Sequence, residues 1–306
     1  MGADIATFVL LMALGAVLSA WAHAAESRRG LSIALYVAFG GAAVLIALAG
    51  VAIMGSPRGA LGVSTAVGWV LVASALGIAL PLLPPVRKLL SLVTPLDPHS
   101  ITDAAGLSVV LAFVISNLGA APLVTSAGSV SPAVLVMQDA TFVVLAFIAV
   151  GTFMTRDLRC AVQRLGLVVP TRRQVLIALG LVLVAFAISI AAALGMRVLQ
   201  PGLSKQISST MQTLIGNFQS LGGALILGIS AGIGEEILFR GALQPRYGVV
   251  LTSLFFAAVH VQYGFSLDVL AVFLMGIVLG LERKRFNTTS SIITHVVYDV
   301  LAVLAG

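Results

Sequence analysis

Residues 234–242, reading GEEILFRGA, place two adjacent carboxylates and a guanidinium inside an otherwise apolar stretch. An ionisable side chain in a membrane-spanning segment is costly unless it is paired or faces a wet cavity, so it indicates a functional site. If the stretch is helical, Glu236 and Arg240 lie four residues apart on one face and form an ion pair. Glu235 then points about 100° away, toward a neighbouring helix.

Two further pairs of functional groups follow within about 65 residues, each spaced by one helical turn. They are Phe256 with His260, in FAAVH, and His295 with Asp299, in HVVYD. A carboxylate and an imidazole that hold one water can deprotonate it, while a second imidazole polarises a carbonyl oxygen. These groups therefore predict peptide hydrolysis without a covalent intermediate.

Two other chemistries are weighed against this one. Two histidines with a carboxylate are a familiar zinc ligand set, so zinc is the alternative, but the sequence holds no HExxH and the site is predicted to need no metal or other cofactor. A nucleophilic mechanism fits less well, because the single cysteine, Cys160, lies in a basic loop and no GxSxG elbow is present.

The composition is that of an integral membrane protein. The 306 residues are 59% hydrophobic and 9% charged, with a mean hydropathy of +1.12, whereas globular proteins are about one quarter charged. The net charge of +6 is attributed to basic residues that anchor cytoplasmic loops. The lipid bilayer is thus a predicted partner, and nucleic acid is not.

The pattern of apolar runs predicts an all-α, polytopic transmembrane bundle of about 8–10 spans. Residues 201–220 read as an amphipathic helix at the membrane interface. The last three apolar segments are shorter than a comfortable span, which favours buried or re-entrant helices. The predicted spans are Ile5 to Ala25, Leu31 to Met54, Ala60 to Leu83, Leu107 to Leu123, Ala133 to Met154, Gln174 to Val198 and Leu221 to Phe239, and the short segments are Val249 to Val261, Leu267 to Leu281 and Ser291 to Leu304.

Basic loop residues predict the orientation. With ten spans, fourteen of the 17 lysines and arginines fall on one side, which is taken as cytoplasmic, and both termini lie outside. Asp139 is interpreted as a capping or snorkelling group near the outer end of the fifth span, with a proton relay as the alternative. The outer side holds Arg58, Arg197 and Lys205, and the cytoplasmic side Arg28, Arg29, Arg87, Lys88, Arg156, Arg159, Arg164, Arg172, Arg173, Arg240, Arg246, Arg283, Lys284 and Arg285.

The three motifs together resemble the CAAX prenyl protease type II family, also called the CPBP or Abi family of intramembrane glutamic endopeptidases. Its signature is a double glutamate with arginine four residues after the second, then Phe-x-x-x-His, then His-x-x-x-Asn or Asp. Order and spacing match here over roughly Leu214 to Leu304. The resemblance implies a protease core over 174–306 and N-terminal accessory transmembrane helices over 1–155.

By the same resemblance, each motif residue receives a role. Glu235 with His260 activates the water, and His295 with Asp299 forms the oxyanion side. The remaining residues are structural or orienting: Glu236, Arg240 and Phe256. Many family members have Asn where this chain has Asp299, and an aspartate donates a hydrogen bond only when it is protonated.

The predicted function is intramembrane cleavage of a membrane peptide or a lipid-modified, CAAX-like protein, with the active site toward the cytoplasmic side. A non-proteolytic membrane scaffold or bacteriocin-immunity protein of the same family is the alternative. A proton-coupled transporter, which would use the same ionisable groups as a relay, is a third class. The Ala-, Gly- and Val-rich composition suggests a bacterial inner membrane.

Overall fold

The structure, a computed structural model, describes residues 2–56, 65–124 and 129–305. The predicted all-α fold is confirmed, since this part of the chain holds no strand and a single isolated bridge between Thr152 and Arg156. Arg58 and the predicted start of the third span at Ala60 lie outside the described residues. The helices are α1 Gly2–Ala25, α2 Arg29–Gly55, α3 Thr65–Ala79, α4 Pro84–Ser91, α5 Ile101–Val124, α6 Pro132–Ala149, α7 Leu158–Arg164, α8 Arg172–Leu199, α9 Pro201–Ile215, α10 Leu221–Glu236, α11 Gln244–Val259, α12 Leu267–Arg285 and α13 Thr288–Ala305.

Eight stretches in the described ranges are long and apolar enough to cross a membrane, in agreement with the predicted 8–10 spans. Helix α12 is not among them, because its last four residues, 282–285, are all charged. One of the eight, Leu221–Val259, is 39 residues long, far more than the roughly 20 residues that a single span requires.

Helix α9 has the amphipathic character that its sequence predicts. Ile207 is buried, and so is Phe218 in the short 3-10 turn that follows the helix. Lys205 and Gln206, on the other face of α9, are exposed. A helix of this kind lies along an interface with its apolar face covered.

The chain forms two compact units, one comprising Met1–Val17 with Leu123–Gly306 and the other Leu18–Pro122. In the second unit α2 packs along α3, and Ser108 donates a hydrogen bond to the carbonyl oxygen of Ile78 at 2.8 Å. Arg87, counted above as a loop charge, is instead buried and donates to the hydroxyl of Tyr36 at 3.0 Å.

In the first unit α10 packs against α6 and α13. The approach to α13 is close because α10 offers glycines to it: a Cβ on Gly232 would lie 3.0 Å from the backbone nitrogen of Val296, and one on Gly228 would lie 3.0 Å from the Val296 oxygen. Backbones approach closely in membranes through such small residues. The close fit brings the carboxylates at the end of α10 within reach of the side chains of α13.

The 39-residue stretch is not one straight span, because the chain reverses at Gly248. Before that glycine, Arg240 and then Gln244 donate to the carbonyl oxygens of Gly276 and Gly280, in rising order along α12. After it the order is inverted, since Val249 packs on Gly280 and Ser253 on Gly276. Gly248 has φ 79° and ψ 171°, a conformation open essentially to glycine alone.

The returning part of α11 is short, which agrees with the predicted short or re-entrant segment. Residues 249–259 of α11 rise about 16 Å, roughly half of a ~30 Å hydrocarbon core. The segment is therefore too short to cross a membrane by itself. Its C-cap residue is His260, so the imidazole lies at the depth of the glutamates and not at the surface.

Candidate functional site

The two glutamates lie at the end of α10, where the α-helix widens into a π-helical turn over Ile237–Leu243. Such turns are often found at functional sites. The expected ion pair is present across this junction, with 3.4 Å between Arg240 Nε and Glu236 Oε2. Both side chains are almost fully buried, at 1% and 0% exposure. Arg240 is thus an internal partner of Glu236 rather than a loop charge, which corrects its place in the count of cytoplasmic residues.

Phe256 supports the buried arginine. The guanidinium carbon of Arg240 lies 4.2 Å from the centre of the Phe256 ring, within the range of a cation–π contact. The same ring meets Phe239 edge to face at 5.3 Å and lies 5.9 Å from the His295 ring. Phe256 therefore contacts the π-helical turn and α13 together, and its orienting role stays a prediction.

His295 lies between carboxylates from two helices. Its Nδ1 is 3.0 Å from Glu236 Oε1, and its Nε2 is 3.4 Å from Asp299 Oδ2, one turn along α13. Because Glu236 is paired with Arg240 and can only accept when ionised, Nδ1 is the donor to it. Glu236 thus joins Arg240 to His295, a link that sequence reasoning missed because the partners are 59 residues apart.

The orientation of His260 is set by the end of its own helix. Its Nδ1 lies 2.7 Å from the carbonyl oxygen of Phe256. A carbonyl oxygen can only accept, so Nδ1 carries the hydrogen. In the neutral ring Nε2 is then an acceptor, and it faces Glu235 Oε2 at 4.0 Å.

Glu235 lies between the two imidazoles. Its Oε2 is 4.0 Å from Nε2 of His260 and 4.0 Å from Nε2 of His295, and it has no hydrogen-bond partner among the residues that the structure describes. A distance of 4.0 Å is too long for a direct hydrogen bond and suits a water that bridges the groups. The structure therefore brings together all seven residues that the motifs single out: Glu235, Glu236, Arg240, Phe256, His260, His295 and Asp299.

Asp139 is placed differently from its prediction. It lies in the middle of α6, is 2% exposed, and accepts a hydrogen bond from Ser230 of α10 at 2.7 Å. The interpretation as a capping or snorkelling group near the end of the span is wrong, because the side chain points into the bundle. Its one early signal was the burial cost of a charge in an apolar helix.

A second acid that sequence reasoning passed over is Glu282, near the end of α12. It is 3% exposed and accepts a hydrogen bond from Thr294 at 2.7 Å. Thr294 precedes His295, so this contact fixes α12 to the part of α13 that carries the imidazole. No group of three or more His, Cys, Asp or Glu in the described ranges is arranged to hold a metal ion.

These contacts define a class: a polytopic helical membrane protein with a buried cluster of carboxylates and imidazoles. The comparison with protein families is more specific, since residues 217–301 match the family described as type II CAAX prenyl endopeptidase Rce1-like. This part of the chain is a domain of that family, and it contains all seven site residues. Neither the curated proteins nor the solved structures give a match.

Proposed function

We propose that the protein is an intramembrane endopeptidase that hydrolyses a peptide bond of a membrane-associated substrate. Two independent findings support this proposal. The family match over residues 217–301 suggests a peptidase. The geometric finding that supports it most is the position of Glu235 Oε2, which lies 4.0 Å from each of two imidazole nitrogens.

In the proposed mechanism Glu235 and His260 hold the attacking water. Because Nδ1 of His260 donates to the backbone of its own helix, Nε2 accepts one hydrogen of the water, and the Glu235 carboxylate accepts the other. Both hydrogens then point away from the oxygen lone pair that attacks the carbonyl carbon. As the new C–O bond forms, Glu235 takes the proton.

The oxyanion side is assigned to His295 and Asp299. His295 is held by Glu236 through Nδ1, and in its protonated form Nε2–H can donate to the developing oxyanion. Asp299 accepts from the same nitrogen before the substrate oxygen arrives. When the C–N bond breaks, the proton on Glu235 passes to the leaving amine, which returns the carboxylate to its starting state.

The contact between α13 and the basic loop supports access of the substrate from the side of that loop. Thr288, the first residue of α13, donates to the carbonyl oxygen of Leu165 at 2.6 Å, so α13 starts at the level of that loop. His295 follows seven residues later, about 10 Å along the helix. A scissile bond would thus lie roughly 10 Å from the face that the basic residues mark as cytoplasmic, and the substrate class proposed is a membrane peptide or a lipid-modified protein.

The division of the chain belongs to the same proposal. We assign the protease core to residues 174–306, which include the family match, and accessory transmembrane helices to residues 1–155. Truncation after α5 leaves the contact of α6 with α10 in place, and this shortened chain should retain cleavage when expressed with its own start codon. A loss of cleavage when α6 is removed as well would extend the core beyond residues 174–306.

The experiment that tests the function compares the membrane peptides of cells carrying the wild-type chain with those of cells carrying Glu235→Ala, by mass spectrometry. A precursor that accumulates in the variant, with its product present only in the wild type, is expected. Asp97→Asn is the matched control, because it neutralises a carboxylate in an exposed loop. Identical peptide sets, together with no cleavage by purified protein, would favour the non-proteolytic scaffold.

The same purified protein tests the zinc alternative. Activity in a strong chelator should equal activity without it, because the proposed chemistry uses a carboxylate and imidazoles alone. Loss of activity that stoichiometric zinc restores would make His260, His295 and a carboxylate metal ligands.

A further inference from the structure

The buried acid of α6 lies directly behind the catalytic glutamate. Asp139 is the single charged residue of α6, and its backbone meets α10 at Gly234, the residue before Glu235. A Cβ on Gly234 would lie 2.6 Å from Asp139 Cβ and 2.8 Å from its Cα. Helices approach this closely only where one of them offers a glycine or another small residue.

A hydrogen bond fixes this close contact. Ser230 lies one turn before Gly234 on α10, and its hydroxyl donates to Asp139 Oδ2 at 2.7 Å. Asp139 Oδ1 is buried and has no hydrogen-bond partner within the described part of the chain. An exposed acid would gain little from such a bond, but in an apolar bundle it opposes both rotation and sliding of α10 against α6.

The direction of Glu235 depends on that register. Its Oε2 lacks a hydrogen bond to any described residue and is 4.0 Å from both imidazoles, so no direct contact of its own holds the carboxylate in place. Glu236, by comparison, is held by Arg240 and His295. A small rotation of α10 would therefore move Glu235 away from the histidines, and displacements of about 1 Å can cost a large factor in rate.

We propose that Asp139 is a positioning residue of the hydrolytic site, which acts through Ser230 and Gly234 to aim Glu235 at His260 and His295. The proposal rests on the proposed function and adds to it a contact outside the family's three motifs. Asp139 touches neither the substrate nor the reacting water in this account. Its role is to keep the α6–α10 contact in one register.

The kinetic test uses purified full-length protein and an internally quenched, farnesylated peptide. Asp139→Leu and Ser230→Ala are each expected to lower kcat at least tenfold and to leave KM within about twofold, because alignment of the base is lost and substrate contacts are kept. Asp139→Asn should retain at least a third of the wild-type kcat, since its amide oxygen still accepts from Ser230.

The matched control is Thr141→Val, two residues along α6. Thr141 is also buried, but its hydroxyl donates within its own helix, to the carbonyl oxygen of Met137. The Thr141→Val variant should keep the kcat and KM of the wild type. If Asp139→Asn is as inactive as Asp139→Leu, the charge rather than the contact matters, and the positioning role is overturned. An equal loss of kcat in Thr141→Val would show that general packing of α6, and not the contact of Asp139, causes the effect.

A readout without catalysis separates this proposal from the proposed function. The chain has four histidines, so the ring signals of His260 and His295 can be assigned in ¹⁵N-histidine NMR spectra from single His→Gln variants. Both signals should move in Ser230→Ala and stay in place in Thr141→Val. Unmoved signals in Ser230→Ala overturn the positioning role. If the signals move in Ser230→Ala as expected but the wild-type protein cleaves no peptide, the peptidase function alone is refuted.

Discussion

The two adjacent glutamates have opposite environments. Glu236 is fully buried and contacts both Arg240 and His295, while the side chain of Glu235 is 14% exposed and has no direct hydrogen bond from Oε2 to any described residue. A buried carboxylate with two partners is a structural group, because either partner left alone would be an uncompensated polar group in a low dielectric. A carboxylate between two imidazoles whose Oε2 has no direct partner among the described residues has capacity left for a water, which the proposed function requires.

Glutamine substitutions separate these two roles. Glu235→Gln should abolish cleavage and leave thermal stability within a few degrees of the wild type, since it replaces a group that makes few contacts by a near isostere. Glu236→Gln should be less stable by about 3–5 kcal/mol, because the buried guanidinium of Arg240 loses its counter-charge. Thermal unfolding in detergent and turnover of each purified variant measure the two effects.

The control for this pair is Arg240→Gln combined with Glu236→Gln. The double variant removes both charges and should recover part of the stability lost in the single variant, because removing both members of a buried pair costs less than removing one. Equal loss of stability in Glu235→Gln and Glu236→Gln would contradict the division of roles.

Asp299 is the place where this chain uses an acid and many family members use an amide. Its Oδ2 lies 3.4 Å from Nε2 of His295, and we propose that it accepts from this nitrogen and orients the imidazole. Asp299→Asn should keep measurable activity, since the amide oxygen also accepts, whereas Asp299→Ala should lose at least tenfold more. Steady-state kcat of the three proteins is the measurement, and an Asn variant as inactive as the Ala variant would show that the negative charge itself is required.

The turn at Gly248 decides whether His260 reaches the site. A chain that continued straight from the π-helical turn would leave the membrane, whereas the reversal returns α11 alongside α12 for the 11 residues up to Val259. The apolar segment after Gly248 is thus short because it ends where His260 meets the glutamates of α10. To His260 we assign a role in holding the water.

Gly248→Ala should cost about 1–3 kcal/mol of stability, because φ 79° with ψ 171° strains any residue that has a Cβ. It should also lower kcat, since the strain displaces α11 and with it His260. Gly180→Ala on α8 is the matched control, as its Cβ would meet no atom within 4 Å and its backbone is helical. Thermal unfolding and kcat of both variants test this, and equal effects in the two would exclude strain at Gly248 as the cause.

Spacing within one helix was enough to predict much of the site. The pairs at four residues appear in the structure, Glu236 with Arg240 as an ion pair and His295 with Asp299 as a close contact at 3.4 Å, because helical geometry alone brings such residues together. The short length of the segment after Gly248 indicated a helix that does not cross. Local rules of this kind transfer directly from sequence to structure.

Contacts between helices could not be predicted in the same way. The bond between His295 and Glu236 and that between Ser230 and Asp139 span 59 and 91 residues, and they depend on the rotation of each helix about its own axis. That rotation depends on glycines such as Gly232 and Gly234. The sequence alone does not show which neighbouring backbone packs against them. The π-helical turn after Glu236 likewise has no signature in the spacing of the motif.

The predicted orientation of the protein in the membrane depends on which basic residues lie in loops. Arg240 and Arg87 are buried partners of Glu236 and Tyr36, so they should not be counted. The remaining twelve still outnumber the three on the other side, and the excess is greatest in the loops at 156–173 and 283–285. The positive-inside rule therefore continues to predict that these loops are cytoplasmic.

Cys160, which is exposed and is the single cysteine of the chain, tests this orientation without any added label site. A membrane-impermeant maleimide should leave it unlabelled in intact cells and should label it after permeabilisation. The matched control is Lys205→Cys in a Cys160→Ser background, since Lys205 is exposed on α9 and is predicted to face outside. Labelling of Cys160 in intact cells would invert the orientation.

The labelling rate of Cys160 should depend on pH in a way that its neighbour Asp157 sets. Asp157 caps α7 and accepts a hydrogen bond from the Cys160 backbone nitrogen at 2.7 Å, and this bond lowers the pKa of the Asp157 carboxyl, so it is ionised at neutral pH. Its hydrogen bond with the thiol and its negative charge raise the pKa of Cys160.

Because the thiolate is the reactive form, labelling of permeabilised cells should be slow near pH 7 and should accelerate as the pH rises into the alkaline range. Asp157→Asn should speed labelling at a given neutral pH, since it removes the charge that opposes ionisation of the thiol, while an asparagine still caps the helix. Labelling rates of the two proteins at several pH values measure this difference. Identical rates at every pH would contradict the influence of Asp157 on the thiol.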